Sequence, residues 1–288
     1  MSWIGDALEE WLNPILIESI TDRLTGLFDT VNDQVGTVVS DVGKTPASWN
    51  SGVHNMIRNL SDNVILPIAG VILAAVMTLE LIHLITDKND LKEFDLWMLF
   101  RWVFRSAAAI LIVSHTWDIV MGVFDTASSV VHSASEITGA GALDTSSLIA
   151  NLQTQMQNMS LGALLELWFS SGLIWVATAI MRVIIFIVLY GRMMEIYLVT
   201  SMAPIPLSTM LNKNWSSTGQ NYLRTLFSLA FQAFLIIVCV AIYSVLLGSL
   251  AVTEDVNASL WECVGYTALL CFMLFKTGSL SKQIFGAH

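Results

Sequence analysis

Charge is scarce in this sequence. Only 12% of its 288 residues are Asp, Glu, Lys or Arg, about half the share usual in a soluble domain. Cations are scarcest, 13 Lys and Arg against 23 Asp and Glu, for a net charge of −10. That balance excludes a nucleic-acid grip built on a basic stripe. Cysteine is nearly absent too: Cys239, Cys263 and Cys271 all lie in apolar stretches, with no CxxC. A disulfide framework or a Cys/His metal set is therefore excluded, and the thiols read as small buried hydrophobes. No GxxxxGK[ST], HExxH or GxSxG occurs, so no cofactor, metal or catalytic residue is expected and the chain reads as a non-enzyme. Residues 1–25 lack the basic start and continuous apolar centre of a signal peptide, because Asp6, Glu9, Glu10 and Glu18 interrupt them. Membrane insertion is expected from later segments.

What the sequence does have is long apolar runs, with 55% of residues hydrophobic. Runs of about twenty such residues cross a hydrocarbon core of about 30 Å. The spans fall at about 64–85, 103–124, 161–190, 223–250 and 260–275, with a broken or re-entrant segment at 193–211. The expected fold is all-α, a polytopic membrane helix bundle of about five transmembrane helices spanning 64–288, preceded by an extracytoplasmic amphipathic helical region at 1–63. In that region Trp3, Ile4, Ala7, Leu8, Trp11, Leu12, Ile15, Leu16 and Ile20 recur at helical spacing, and Pro14 is a candidate bend. Val31, Val35, Val38, Val39 and Val42 extend a weaker stripe to Gly43. Thr45-Pro46 then reads as an N-cap with proline at the first helical position. Interfacial helices carry Lys and Arg on the polar face; this one carries acids, which favours packing on another protein or subunit over lipid.

Cations fix the orientation, since loops rich in Lys and Arg stay cytoplasmic. With five spans and the N-terminus outside, Lys88, Lys92, Arg101, Arg105, Arg182, Arg192, Lys213, Arg224, Lys276 and Lys282 are cytoplasmic. Only Arg23, Lys44 and Arg58 fall outside, a 10 to 3 split of the 13 cations. The 125–160 segment, a polar loop without Lys or Arg, lies outside, as does the acidic Glu254-Asp255 turn. The expectation is N-out and C-in in the bacterial cytoplasmic membrane.

Ionisable groups inside spans are costly and mark functional candidates. Glu80 and His83 sit at i,i+3 on the first span, His115 and Asp118 at i,i+3 on the second. Together they suggest a proton relay and, with it, a proton-coupled secondary transporter. Depth opposes this: the two carboxylates sit on opposite sides of mid-bilayer, roughly 15 Å apart along the normal at the helical rise. Packing groups or snorkelling side chains are the plainer reading. Arg182, Arg192 and Glu195 flank the end of the third span, the last two spaced for an ion pair. Pro204 and Pro206 remove two backbone donors and break a helix. Such a break is tolerated at membrane depth when buried in protein or lining a wet cavity, so 193–211 is re-entrant near a pore or a turn lying on the surface.

Leu27-Phe28-Asp29, Val31-Asn32, Val35-Gly36, Thr45-Pro46, Trp49-Asn50-Ser51, Met56-Ile57-Arg58, Val64-Ile65 and Pro67-Ile68-Ala69-Gly70 form a further pattern. Phe94-Asp95, Asp118-Ile119-Val120-Met121 and Val123-Phe124-Asp125 continue it. With these residues the chain resembles the TrbL-like conjugal transfer proteins carried on integrative conjugative elements of Firmicutes, most densely over 27–125. The resemblance implies a polytopic inner-membrane subunit of a type IV secretion system that forms homo-oligomers. It further implies a channel or scaffold role for a relaxase-bound DNA strand or protein, in contact with other secretion membrane subunits, ATPases and the lipid bilayer. Five spans with the N-terminus outside fit that family, which offers no catalytic residue to carry over. The long soluble central domain of some relatives is absent here.

Overall fold

The structure, a computed structural model, describes residues 2–86, 96–139, 146–210, 212, 215–249 and 256–287. Several residues that weighed in the sequence reading lie outside these: Lys88, Lys92, Phe94-Asp95, Lys213 and Glu254-Asp255. So do the side chains of the first nine residues, Trp3, Ile4, Ala7 and Leu8 among them.

All regular structure among the described residues is helical: α1 Ser2–Gly43, α2 Pro46–Trp49, α3 Ser51–Leu60, a π turn Ser61–Ile65, α4 Leu66–Thr86 and α5 Leu96–Ser114. There follow α6 Thr116–Thr138, α7 Ser146–Met156, α8 Leu161–Ser201, α9 Pro204–Ser208, α10 Ser216–Gly248 and α11 Val256–Phe285. Five helices are long and apolar enough to cross a membrane: Ser51–Thr86, Leu96–Ser114, Leu161–Ser201, Ser216–Gly248 and Val256–Phe285.

The expected spans are thus found, with different bounds. The second ends at Ser114, not near residue 124. Ser114 Oγ bonds back to the Ile110 carbonyl and Thr116 Oγ1 to that of Val113, both at 2.8 Å, a back-bonding that bends helices. Beyond the bend, the expected loop at 125–160 contains α6 and α7. The third span does not stop near residue 190. Arg192 is buried and Glu195 is paired, so neither interrupts α8, which continues unbroken to Ser201. At 41 residues and 1.5 Å per residue it is about 60 Å long.

The chain divides into two compact units. One comprises Met1–Val42, Val131–Leu189 and Leu235–Thr277; the other Gly43–Val130, Tyr190–Phe234 and Gly278–His288. In the first, α1 buries Leu16, Ile20, Leu24, Leu27, Phe28, Val31, Val35, Val38 and Val42. Glu18, Asp22, Asp29 and Asp33 remain exposed; their spacing of four, seven and four puts them on one opposite face. Trp168 of α8 anchors the helix. Its indole donates to Ser19 Oγ at 3.2 Å, its carbonyl accepts from Arg23 Nη1 at 3.2 Å, and the Arg23 guanidinium lies 4.4 Å from its ring centre. The stripe that seemed meant for another subunit is therefore covered by its own chain from Leu16 onward, because α1 is one continuous helix; Trp11 and Ile15 stay exposed. Within the same unit α10 meets α11 through Tyr243 Oη and Thr267 Oγ1 at 2.8 Å, and Asn257 of α11 donates to Glu166 of α8 at 3.2 Å.

In the second unit Thr45 caps α2, its Oγ1 accepting from the Ser48 amide at 3.3 Å, with Pro46 at the first position as expected. Asn50 ends α2 and caps α3 through Oδ1 and the Val53 amide at 3.0 Å. The α3 helix, the π turn and α4 form one continuous rod. Most of α4 and α5 is apolar and uncovered: Val71, Leu96, Phe100 and Phe104 are all more than 60% exposed.

Candidate functional site

The break that sequence places around Pro204 and Pro206 is the organising feature of the second unit. Pro204, Leu207 and Ser208 of α9 are buried. Ile205 packs on Ala69 and Leu73 of α4 and Val113 of α5, and α9 also touches the π turn. The two irregular backbone stretches of the unit therefore meet. Within this unit the break is packed against protein, the condition under which irregular backbone survives at membrane depth.

Its polar groups are satisfied locally. The Ala203 amide reaches the Thr200 carbonyl and the Ile205 amide that of Met202, both at 3.2 Å. Ser201, Ser208 and Thr209 hydroxyls donate to the carbonyls of Leu198, Ile205 and Pro206 at 2.7–2.8 Å. Such closure lets a proline-broken turn be buried without orphaned groups. The break then seats on α10 at Gly219. A Cβ there would lie 2.1 Å from Met210 Cγ and 2.7 Å from the Pro206 carbonyl oxygen, so only glycine admits this approach.

Around the break, Val120, Phe124, Met193, Ile196, Ala203, Leu226 and Leu229 form a buried apolar cluster. Arg192 sits against it with one hydrogen bond, Nη2 to the Leu229 carbonyl at 3.4 Å, and its Nε has no partner. The i,i+3 ion pair with Glu195 is not what forms: Glu195 Oε1 accepts from Lys282 Nζ at 2.9 Å. The guanidinium points inward while the carboxylate faces α11. Sequence spacing shows which side chains share a face, not which of them finds a partner 87 residues away.

The remaining candidates are scattered. His115 Nδ1 and Asp118 Oδ2 stand 3.6 Å apart at the α5–α6 bend, both about two-thirds exposed. Glu80 is half-buried on α4 and His83 exposed. Arg182 is exposed on the stretch of α8 that belongs to the first unit.

One contact escaped the sequence reading. Tyr197 Oη donates to the Pro46 carbonyl at 2.6 Å, and the Trp49 ring lies 5.3 Å from Tyr190 and 5.9 Å from Tyr197. The partners are 151 residues apart; only the cap at Thr45 and the tryptophan after it hinted at a docked turn. Residue 46 therefore sits beside the last turns of α8.

Five apolar membrane-length helices, a buried proline break and no strand among the described residues define a multi-pass helical membrane protein. The chain belongs to the family described as TrbL/VirB6 plasmid conjugal transfer like protein, which matches residues 31–204, more than half its length. It is accordingly a membrane subunit of conjugal transfer by type IV secretion, as the resemblance implied. No curated protein and no solved structure matches it.

Proposed function

We propose that this subunit forms part of the translocation channel itself, as a homo-oligomer without enzymatic activity, in the bacterial cytoplasmic membrane. The observation that carries this reading is α1. Its apolar stripe is buried in a unit shared with stretches of α8, α10 and α11, all apolar enough to cross a membrane. Its other face exposes Glu18, Asp22, Asp29 and Asp33. Carboxylates at membrane depth need water or a partner, so this face borders a wet passage. The passage carries a relaxase-bound DNA strand or a protein, driven by the ATPases of the system. Glu80, His83, His115, Asp118 and Arg182 serve as packing or interfacial groups in this reading, while Arg192, Glu195 and the Pro204–Pro206 break hold the α8–α10 turn.

For orientation, the cations favour a start of α8 outside and an end inside. Ser19 and Arg23 dock at Trp168, early in α8, which keeps the N-terminus outside. Pro46 docks late in α8, so residues 44–50 lie at the same depth as Tyr197. Cysteines tested in a background lacking Cys239, Cys263 and Cys271 decide the matter. Thr154→Cys reacts with an impermeant thiol reagent in intact cells, and Lys276→Cys only after permeabilisation. Asp29→Cys reacts with a small charged reagent while Val31→Cys, two residues away, does not. Equal protection of both α1 positions would remove the wet passage. An in-frame deletion that leaves mating undiminished would remove the channel role altogether.

A further inference from the structure

The second unit contains an apolar groove of about 350 Å³ that neither the break nor the acidic helix uses. Gly122 and Val123 of α6 form one wall; Phe227, Phe231 and Phe234 of α10 and Phe285 of α11 form the other. Phe285 holds the aromatic wall together, its ring 6.3 Å from Phe227 and 5.5 Å from Phe231. A Cβ added at Gly122 would meet nothing within 4 Å, so a larger side chain there has open space to enter.

A cation stands just outside the groove's lining, one turn before Phe227 on α10. Arg224 precedes Phe227, Phe231 and Phe234 by three, seven and ten residues, so it stands on the same face of α10. It is exposed and has no ion pair or hydrogen bond among the described residues. It also marks a boundary: Ser216–Asn221 before it is polar, and the helix is almost wholly apolar from Leu226 to Leu247. A phospholipid phosphate lies at such a boundary, with its chains beside the apolar side. Arg224 Nη1 comes within 3.9 Å of the Cβ position of Gly286 at the end of α11. The Ala287 amide serves the Lys282 carbonyl there at 2.9 Å.

We propose that this groove binds one anionic phospholipid, its acyl chain along the phenylalanine wall and its phosphate on Arg224. A single cation at the mouth of an apolar slot between membrane helices selects a negative headgroup over a zwitterionic one. The reading needs only that the chain is membrane-embedded and stands whether or not the subunit forms the channel.

Native mass spectrometry of the full chain in detergent, titrated with phosphatidylglycerol or phosphatidylcholine of the same acyl composition, tests it. The wild type should hold one phosphatidylglycerol at least tenfold more tightly than phosphatidylcholine. Arg224→Gln should remove that preference. Gly122→Phe should fill the slot and displace both lipids, and an unchanged melting temperature separates this from loss of fold. Equal retention of the two lipids by the wild type overturns the proposal, as does unchanged phosphatidylglycerol retention in either variant. Displacement of the lipid by millimolar inorganic phosphate would show a plain anion site and overturn it too. So would a Gly122→Phe chain that keeps its lipid but changes oligomeric state, because the groove would then be a seam between copies.

Discussion

Helix α1 and the α4–α5 pair are opposite solutions to being in a membrane protein. The first carries a narrow apolar stripe that is almost wholly covered, and it leaves four carboxylates uncovered. The second is apolar on nearly every side and leaves large hydrophobes uncovered, among them Val71 at 73% and Phe104 at 67% exposure. In water the second pattern would be an aggregation liability; against hydrocarbon it is the stable arrangement. Exposure in such a molecule therefore has two meanings, set by the solvent each face meets. A buried apolar residue reports contact within the chain, and an exposed one on a membrane-length helix is suited to lipid or to another subunit.

Substitutions of one type on the two helices separate these meanings. Val31→Asp puts a charge into the covered stripe, where Val31 is 2% exposed, and an unpaired buried charge destabilises by about 3–5 kcal/mol. The chain should fail to accumulate as a monodisperse species in size-exclusion chromatography. Val71→Asp comes next. By exposure in water it would be silent, but at mid-span it should raise the cost of insertion by about 2.5–3.5 kcal/mol, seen as a fall in the membrane-integrated fraction. An unchanged fraction would mean that α4 does not face lipid. Gly219→Ala should cost about 1–3 kcal/mol through overpacking against Met210 and the Pro206 carbonyl, read as a lower melting temperature in detergent. Asp29→Asn lies at the small end. If the acidic face is hydrated, stability should move by less than about 0.5 kcal/mol, so that any effect on mating frequency reports function and not folding.

Much of this was legible from residue order. Apolar runs betrayed five spans, since about twenty such residues match the thickness of a hydrocarbon core. The Thr45 cap and the Pro204–Pro206 break were visible because they rest on local chemistry. Bounds were less legible where local polar residues are accommodated by distant ones. Arg192 and Glu195 read as an interruption of α8 until Leu229 and Lys282 supplied their partners. The reverse happened at Ser114–Thr116, whose hydroxyls turn back on their own helix and end a span that hydropathy alone would continue. The covered stripe of α1 was read correctly as a contact surface and assigned to the wrong contact, since periodicity reveals that a face will be buried and not by whom. The docking of Pro46 on Tyr197 had no local signature at all.

The π turn at Ser61–Ile65 sets the phase of the rod that contains it. A π turn accommodates one residue more than regular winding, and each residue of an α-helix advances the azimuth by about 100°. Removing one residue there, Asn63 for example, would let the rod wind regularly with both faces in phase, whereas forcing all five residues into regular winding would rotate α4 relative to α3 by about that angle. The His54 ring, now 5.2 Å from Trp117, and the Ala69–Leu73 face that receives Ile205 could not then both be presented to their partners. The turn is a register adjuster between two recognition faces, and its wide winding, more than the identity of any side chain within it, is what keeps the two in phase.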